Sequence, residues 1–93
     1  MEFEWDQAKS DACLAGRGFD FAYAARVFLD PERRIRRDDR FDYGEARYIV
    51  MGCVEGRLLA VVYTPRAGRL RIVSARRAND RERRRHDRDA DDA

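Results

Sequence analysis

The sequence has few of the residues that build metal sites and disulfide frameworks. Its 93 residues include a single histidine, His86, and two cysteines, Cys13 and Cys53. The cysteines are too far apart for a C-x-x-C motif, and a small secreted domain usually carries a larger set. This composition argues against a zinc site, a His-based catalytic triad and a disulfide framework. We therefore expect a protein without metal or cofactor.

Long apolar segments are missing as well. No run approaches the roughly 20 apolar residues that a membrane span needs. The N-terminal residues 1–6, MEFEWD, are acidic and lack the apolar stretch of a signal peptide. We therefore predict a cytoplasmic protein with no membrane association.

Charges are abundant but nearly balanced, because 20 basic residues face 18 acidic ones and leave a formal net charge of +2. This excludes a simple histone-like cation, although it permits a local basic surface. All but one of the basic residues are arginine, the exception being Lys9. The planar guanidinium group suits phosphate and carboxylate. A GC-rich coding sequence also favours arginine codons, so position rather than number must support any function.

The N-terminal third predicts a short strand and two helices. Residues 3–5 alternate like a strand, and Asp6 is a typical N-cap for a helix over residues 7–15. A second helix is predicted after Asp20 and ends before Pro31, which disfavours helical geometry in the preceding residue. Its apolar residues have the spacing of one buried helical stripe: Phe21, Ala24, Ala25 and Phe28.

Three strands are predicted next, over residues 48–54, 58–63 and 70–75. Residues 55–56, Glu-Gly, form a two-residue hairpin turn, and residues 65–68 form the second turn. Short turns between consecutive strands indicate an antiparallel meander. The middle strand is apolar on both faces, so we expect it to be central and covered on both sides.

The segments around this meander are polar. Residues 33–40 contain one apolar residue, Ile35, among five arginines and could form an edge strand. Asn79 and Glu82 have the spacing of a capping box and predict a polar helix that ends at residue 85 or 88. We expect the histidine on this helix to be exposed, and residues 89–93 to form a disordered acidic tail.

These elements predict one domain of the α+β class over residues 1–88. In this arrangement the N-terminal helix pair packs on one face of a central antiparallel meander, and a short polar helix follows at the C-terminus. The opposite face of the sheet is then free to be a binding surface.

Side chains that can carry chemistry lie on the meander and just before it. They are Glu45, Arg47, Tyr63, Arg66, Arg71, Ser74 and Arg76. They can converge because neighbouring strands lie only about 4.7–4.9 Å apart. Strict alternation along the third strand places Leu70, Ile72 and Ser74 on one face, and Arg71, Val73 and Ala75 on the other. The alternative is that Glu45 and the arginines form solvated ion pairs of little energetic consequence.

The densest basic cluster is the run RERRR at residues 81–85. It could bind phosphate. It could equally form an ordinary solvated helix face, because acidic residues at 80, 82, 87 and 89 interleave with the arginines.

Several of these stretches together resemble the BrnT family of bacterial toxins. The resemblance covers residues 3 to about 85 and rests on these motifs: Phe3-Glu4-Trp5-Asp6-x-x-Lys9, Phe21-x-x-Ala24-x-x-Val27-Phe28-x-Asp30-Pro31, Glu45-x-Arg47, Gly52, Val61-Val62-Tyr63-Thr64-x-Arg66, Arg71-Ile72-Val73-Ser74-Ala75-Arg76-x-Ala78 and Glu82.

The resemblance implies a RelE-like fold and the toxin of a type II toxin–antitoxin system, a ribonuclease that arrests translation. It also implies a cognate antitoxin, a small DNA-binding protein that neutralises the toxin. The toxin would then contact operator DNA only indirectly, through that antitoxin. Either the short edge strand or the exposed segment 33–40 could accept an added strand or helix from such a partner, and the sequence does not distinguish them.

RelE-like nucleases cut RNA without a metal, by attack of the neighbouring 2′-hydroxyl on the phosphate. This chemistry needs a base, cations for the phosphorane and an acid for the leaving 5′-oxygen. For this chemistry our hypothesis is that Glu45, the only plausible base near the arginines, acts beside Arg47, and that Arg66, Arg71 and Arg76 stabilise the charge. Tyr63 or Lys9 would supply the proton if local cations depress the pKa.

The sequence departs from the family pattern after the first helix. Similar members usually carry Asn and then Lys-His-Gly, whereas this chain has Cys13 and Gly16-Arg17-Gly18. Arg17 can hold phosphate but cannot act as an acid near neutral pH. We therefore predict that Arg17 binds substrate, together with Lys9 and Ser74.

Two other functions stay open from the sequence. The departures at Cys13 and Arg17 are compatible with a catalytically inactive module that only pairs with its antitoxin and co-regulates the operon. A basic RNA- or DNA-binding domain is the other alternative, and its affinity would depend steeply on salt. The near-zero net charge argues mildly against this last reading.

Overall fold

A computed structural model describes residues 1–91 of the chain. The strands are β1 (Phe3–Trp5), β2 (Arg34–Arg37), β3 (Tyr48–Val54), β4 (Arg57–Arg66) and β5 (Arg69–Arg77). The helices are α1 (Gln7–Arg17), α2 (Phe21–Ala24), which continues into a 3₁₀ turn over Ala25–Leu29, and α3 (Asp80–Asp91). Within residues 1–91, no helix combines the length and apolar character of a membrane span.

The five strands form one mixed sheet in the spatial order β1-β5-β4-β3-β2. The predicted meander of β3, β4 and β5 is confirmed, and β2 is the antiparallel edge strand expected near residues 33–40. β1 differs from an all-antiparallel sheet, because it pairs parallel to β5, with Phe3 opposite Leu70 and Trp5 opposite Ile72. The α+β class is therefore confirmed, with a mixed sheet instead of a purely antiparallel one.

The two helix starts follow from their caps. The Asp6 carboxylate accepts hydrogen bonds from the backbone N–H groups of Ala8 and Lys9, at 2.9 and 3.2 Å. Asp20 accepts one from the N–H of Tyr23 at 2.8 Å. α1 runs two residues past its predicted end and stops where Gly18 adopts a left-handed conformation, φ 85°.

The core occupies both faces of the sheet. On the face that carries α1, α2 and the 3₁₀ turn, the largest cluster includes Phe21, Val27, Val61 and Ile72. We call this the helix-pair face. The opposite face holds a smaller cluster, which consists of Ile49, Met51, Leu58 and Ala60. Consecutive residues of β4 are therefore buried on alternate faces, as predicted for a central strand covered on both sides.

A β-bulge in β5 changes which residues share a face. Val62 is paired with Ser74 and Tyr63 with Ile72, so Val73 is an extra residue on β5. Beyond the bulge, Ala75 returns to the helix-pair face and joins Ile72 in the core. Ser74 therefore lies on the same face as Arg71, and the prediction from strict alternation that placed it with Ile72 is wrong.

α3 begins with the predicted capping box. The Glu82 N–H donates to Asn79 Oδ1 at 2.8 Å, and the Asn79 N–H donates to Glu82 Oε1 at 2.9 Å. The helix extends to Asp91, past the predicted end at residue 85 or 88, and Arg34 Nη2 donates to the Asp89 carbonyl at 3.1 Å. The predicted disordered tail thus overlaps the helix at 89–91, and its last residues, 92 and 93, lie outside the described part of the chain.

His86 was expected to be exposed on α3, and this is wrong. Its side chain packs toward the sheet and the residue is only 7% exposed. The helix carries no apolar stripe, so the sequence pattern gave no sign of which face turns inward.

Candidate functional site

Glu45 lies in the loop just before β3 and joins two arginines. Its Oε2 is 3.1 Å from Arg66 Nη2, and its Oε1 is 3.5 Å from Arg47 Nη2. Each carboxylate oxygen therefore faces one guanidinium group. The side chains of Glu45 and Arg47 are 29% and 26% exposed, whereas that of Arg66, at the end of β4, is 51% exposed. The structure thus brings these three of the predicted site residues together.

Pairing of β4 with the loop and with β5 brings this cluster together. The hydroxyl of the buried residue Thr64 donates to the Ala46 carbonyl at 2.6 Å and holds the chain next to Glu45 against β4. Thr64 is also the register partner of Arg71 on β5. Arg71 therefore lies on the same face as Thr64, where its Nη1 is 3.9 Å from Glu4 Oε1. We call Glu45, Arg47, Arg66 and Arg71 the carboxylate–arginine cluster.

The cluster sits on a loop organised by Asp38, which the sequence analysis missed. Asp38 is 3% exposed. Its carboxylate accepts hydrogen bonds from Arg40 Nε and Nη2 at 2.9 and 3.0 Å, and from the Tyr43 hydroxyl at 3.2 Å. Its backbone N–H donates to the Arg47 carbonyl at 2.8 Å, which extends the β2–β3 pairing. With 18 acidic residues in the chain, no local pattern marks this one as buried.

Tyr43 links Asp38 to Arg47, because it contacts both side chains. The Arg47 guanidinium carbon lies 4.1 Å from the centroid of the Tyr43 ring, a cation–π contact. Arg47 Nε is buried and has no hydrogen-bond partner among the described residues. A contact path therefore runs from Asp38 through Tyr43 and Arg47 to Glu45.

We expect Asp38→Asn to lower the free energy of unfolding at pH 7 by about 1.5 kcal/mol, since hydrogen bonds to charged groups contribute about 1.5–3 kcal/mol. The Arg40 and Tyr43 hydrogen bonds hold the pKa of Asp38 well below its ordinary value of 3.8. A depressed folded-state pKa contributes stability that is fully present above the unfolded value and is lost progressively as the pH falls from there through the folded-state value. Urea unfolding at pH 7 and at pH 3 measures both effects.

The difference between the Asp38→Asn variant and the natural chain should therefore shrink at pH 3. Asp39→Asn is the matched control, because Asp39 is exposed and pairs with Arg37 at the surface. An equal loss of stability at both pH values would contradict the role given to the Asp38 charge.

The cluster also sets the charge state of Glu45. Hydrogen bonding to Arg66 lowers the pKa of Glu45, and Arg47 adds to this effect against the opposing influence of burial. The carboxylate is therefore ionised at neutral pH and can accept a proton. The arginines beside it are suited to an anion such as phosphate.

The residues predicted to bind substrate line a cleft that is separate from the carboxylate–arginine cluster. Lys9, Arg17 and Ser74 line a cleft of about 210 Å³ between α1 and β5. The cleft opens there because β1 ends at Trp5, which leaves the β5 edge beyond Ile72 without a strand partner among the described residues. Lys9 and Arg17 are thus brought together on the α1 side, apart from the carboxylate–arginine cluster, whereas Ser74 borders the cleft from the β5 edge and its register places it on the face of Arg71.

Tyr63 and Arg76, which were predicted to be catalytic, contact residues outside the carboxylate–arginine cluster. The Tyr63 ring lies on the helix-pair face, 5.6 Å from the Tyr48 ring and 5.2 Å from the Phe28 ring between centroids. Burial raises the pKa of Tyr63, which is opposite to the shift that its role as an acid requires. Arg76 forms a two-pronged pair with Glu82 of α3, at 2.7 and 3.0 Å, and so braces the helix against β5.

A scan against protein-family models matches residues 5–82 to the family described as "Ribonuclease toxin, BrnT, of type II toxin-antitoxin system". A search of curated protein sequences gave no match. The matched range includes β2 to β5 and every residue of the carboxylate–arginine cluster. The chain therefore belongs to the BrnT family of ribonuclease toxins of type II toxin–antitoxin systems.

Proposed function

We propose that the chain is a metal-independent endoribonuclease that cleaves RNA at the carboxylate–arginine cluster. The observation that carries this proposal is the placement of the Glu45 carboxylate between Arg66 and Arg47, with Arg71 on the same face. A base and several fixed cations thus meet at a surface that a phosphodiester can reach. These are the groups that attack by a 2′-hydroxyl needs.

In this reaction Glu45 removes the proton from the 2′-hydroxyl, whose oxygen forms a new bond to the neighbouring phosphorus. Arg66, Arg47 and Arg71 stabilise the negative charge of the phosphorane. The bond from phosphorus to the 5′-oxygen then breaks and leaves a 2′,3′-cyclic phosphate. Since Arg66 is half exposed, solvent reaches this site. We assign protonation of the leaving oxygen to water, and Glu45 afterwards returns its proton to solvent.

Water thus takes the role of the acid, which the sequence analysis gave to Tyr63 or Lys9. Tyr63 is buried on the helix-pair face, and Lys9 lies in the cleft between α1 and β5. Arg76 is placed with Glu82 and acts through the position of α3. The cleft of Lys9, Arg17 and Ser74 is then a contact for the RNA strand away from the scissile phosphate.

We further propose that cleavage inhibits translation in the cytoplasm, and that a cognate DNA-binding antitoxin neutralises the toxin. The α+β sheet with consecutive antiparallel strands is compatible with a RelE-like fold. The exposed edge strand β2 offers the antitoxin a place to add a strand. Operator DNA is then contacted through the antitoxin.

One observation favours the alternative of a catalytically inactive module. The contacts with Arg66 and Arg47 lower the pKa of Glu45, and a carboxylate with a lower pKa is a weaker base. Such a module would bind its antitoxin without cutting RNA. Growth separates the two functions, because an active toxin arrests growth when produced alone, and a binding module does not.

The test is end-labelled RNA incubated with the purified chain in excess EDTA. We expect fragments with 2′,3′-cyclic phosphate ends, formed without added metal. The same assay with translating ribosomes follows if free RNA stays intact. If the folded chain cuts RNA in neither assay, and cells that produce it alone still grow, the proposed activity is refuted and the binding module is supported.

A further inference from the structure

A second cleft, of about 490 Å³, lies between strand β2 and helix α3. Its walls include Arg34, Arg36, Met51, Arg81, Arg85 and His86. We call it the β2–α3 cleft. Its volume is in the range of sites that hold small organic ligands, about 300–1,000 Å³. None of its residues belongs to the carboxylate–arginine cluster.

The charge of the cleft favours an anion. Four arginines line it, together with two acidic residues, Glu82 and Asp89. The Glu82 carboxylate is already neutralised by Arg76. Across the described chain, none of the four lining arginines forms an ion pair, and the one hydrogen bond from Arg34 goes to a neutral carbonyl. The guanidinium groups therefore remain available for a phosphate.

His86 forms part of the wall of the cleft. It is 7% exposed and lines the cleft. Its Nδ1 is buried and has no hydrogen-bond partner among the side chains that the structure describes, those of residues 1–89. Because this nitrogen has almost no accessible surface, it does not face the open cleft, and the rest of the imidazole ring forms the wall.

The cleft also has an apolar part, to which Ile35 and Met51 contribute. A flat base can pack on such a surface or on a guanidinium plane, while arginines hold the attached phosphate. An acidic peptide would use the arginines but would leave this apolar surface without a matching group. The combination therefore favours a nucleotide.

The cleft and the carboxylate–arginine cluster share one face of the sheet. Arg47 precedes β3, and Met51 lies four residues further along it on the face opposite the helix pair. At about 3.3 Å per strand residue this separation is roughly 13 Å. A short single strand can span this distance and contact both places.

We propose that the β2–α3 cleft binds one nucleotide unit of the RNA substrate, with its phosphate on the arginines of α3 and its base against Met51. This inference rests on the proposed ribonuclease function, since it assigns a subsite to the same substrate. It also explains why the basic run at residues 81–85 belongs to a helix that packs toward the sheet.

The test uses a 2′-O-methyl RNA oligonucleotide, which lacks the attacking hydroxyl and cannot be cut. The variant Arg81→Ala/Arg85→Ala removes two cleft arginines, and Arg83→Ala/Arg84→Ala is the matched control on the same helix with the same change in charge. We expect the first variant to bind about tenfold more weakly, and its log K against log salt to be less steep by about 0.7, because the cleft holds one phosphate and each phosphate contact on single strands contributes about 0.7. The control should stay within about twofold of the natural chain.

His86 gives a second readout, because as the only histidine of the chain it yields a single set of imidazole NMR signals. The oligonucleotide should shift these signals, and uridine 5′-monophosphate should shift them at higher concentration. Equal weakening by both double variants, or unshifted imidazole signals, would overturn the proposal. A shift with the monophosphate but not with the oligonucleotide would identify a free nucleotide and overturn the assignment to RNA.

These measurements separate the subsite from the reaction. Because the probe cannot be cut, a catalytically inactive chain would still show the difference between the two double variants. Conversely, RNA cleavage by a chain whose cleft variant binds normally would leave the proposed function intact and refute the subsite.

Discussion

Replacing Arg66 with alanine is expected to slow RNA cleavage by about 10²–10³-fold, the loss typical when one preorganised donor to a transition-state charge is removed. Arg66 is the closest cation to Glu45, and half of its side chain faces solvent, where a phosphodiester can approach. Its loss removes a stabilising charge from the phosphorane. The rate is measured with end-labelled RNA at saturating protein, so that weaker binding does not enter.

Folding should change little in the Arg66→Ala variant, because an exposed ion pair contributes about 0–1 kcal/mol. Arg26→Ala is the matched control. Arg26 also forms an exposed pair, 3.5 Å from Glu55, but lies on the 3₁₀ turn of the helix-pair face. We expect this control to fold and to cleave RNA at the natural rate.

Glu45→Gln tests the other half of the cluster. It keeps the shape and removes the proton acceptor, so cleavage should fall by a similar factor. Arg66→Lys should recover part of the activity, since it restores the charge without the planar pair of donors. Natural rates in both the Glu45→Gln and the Arg66→Ala variants would show that the cluster is an ion pair of the surface and nothing more.

The sequence could predict which arginines lie near Glu45, because their positions depend on the order and pairing of the strands. Arg47, Arg66 and Arg71 lie at the ends of consecutive strands, and short turns fix how those strands pair. The turn at Glu55-Gly56 has φ values of 51° and 80°, so both residues take the left-handed conformation of a tight hairpin. Once the register follows from such turns, the convergence with Glu45 follows as well.

The predictions that were wrong depend on events that leave no period in the sequence. One extra residue at Val73 turns Ser74 onto the other face. His86 is buried by a helix without an apolar stripe. Asp38, for which no prediction was made, is buried together with its hydrogen bonds to Arg40 and Tyr43. Each is a tertiary outcome, which local propensity cannot anticipate.

Gly52 shows a close contact that is also tertiary. A Cβ atom at this position would lie 2.9 Å from the Val27 carbonyl oxygen and 3.0 Å from its Cβ. Gly52 is in the middle of β3, and Val27, which is fully buried, belongs to the 3₁₀ turn. The absent side chain is what lets this turn rest directly on the sheet.

We expect Gly52→Ala to lower the free energy of unfolding by about 2–3 kcal/mol, within the range for overpacking a core. The melting temperature of a domain of this size falls by about 4–8 °C for each kcal/mol. The nearest opposing atom is a backbone oxygen, so it cannot move aside as a flexible side chain would. Gly52→Val should be more destabilising, because its extra methyl groups enter the same contact.

Gly16→Ala is the control, because Gly16 lies in α1 and its Cβ would meet nothing within 4 Å. That change should stabilise the chain by about 0.5–1 kcal/mol, since alanine is the better helix former. Opposite signs for the same glycine-to-alanine change would locate the effect in the contact with Val27. Gly52 points to the helix-pair face, so the folded fraction of its alanine variant should still bind the 2′-O-methyl oligonucleotide. A Gly52→Ala variant as stable as the natural chain would mean that the 3₁₀ turn can lift from the sheet at little cost.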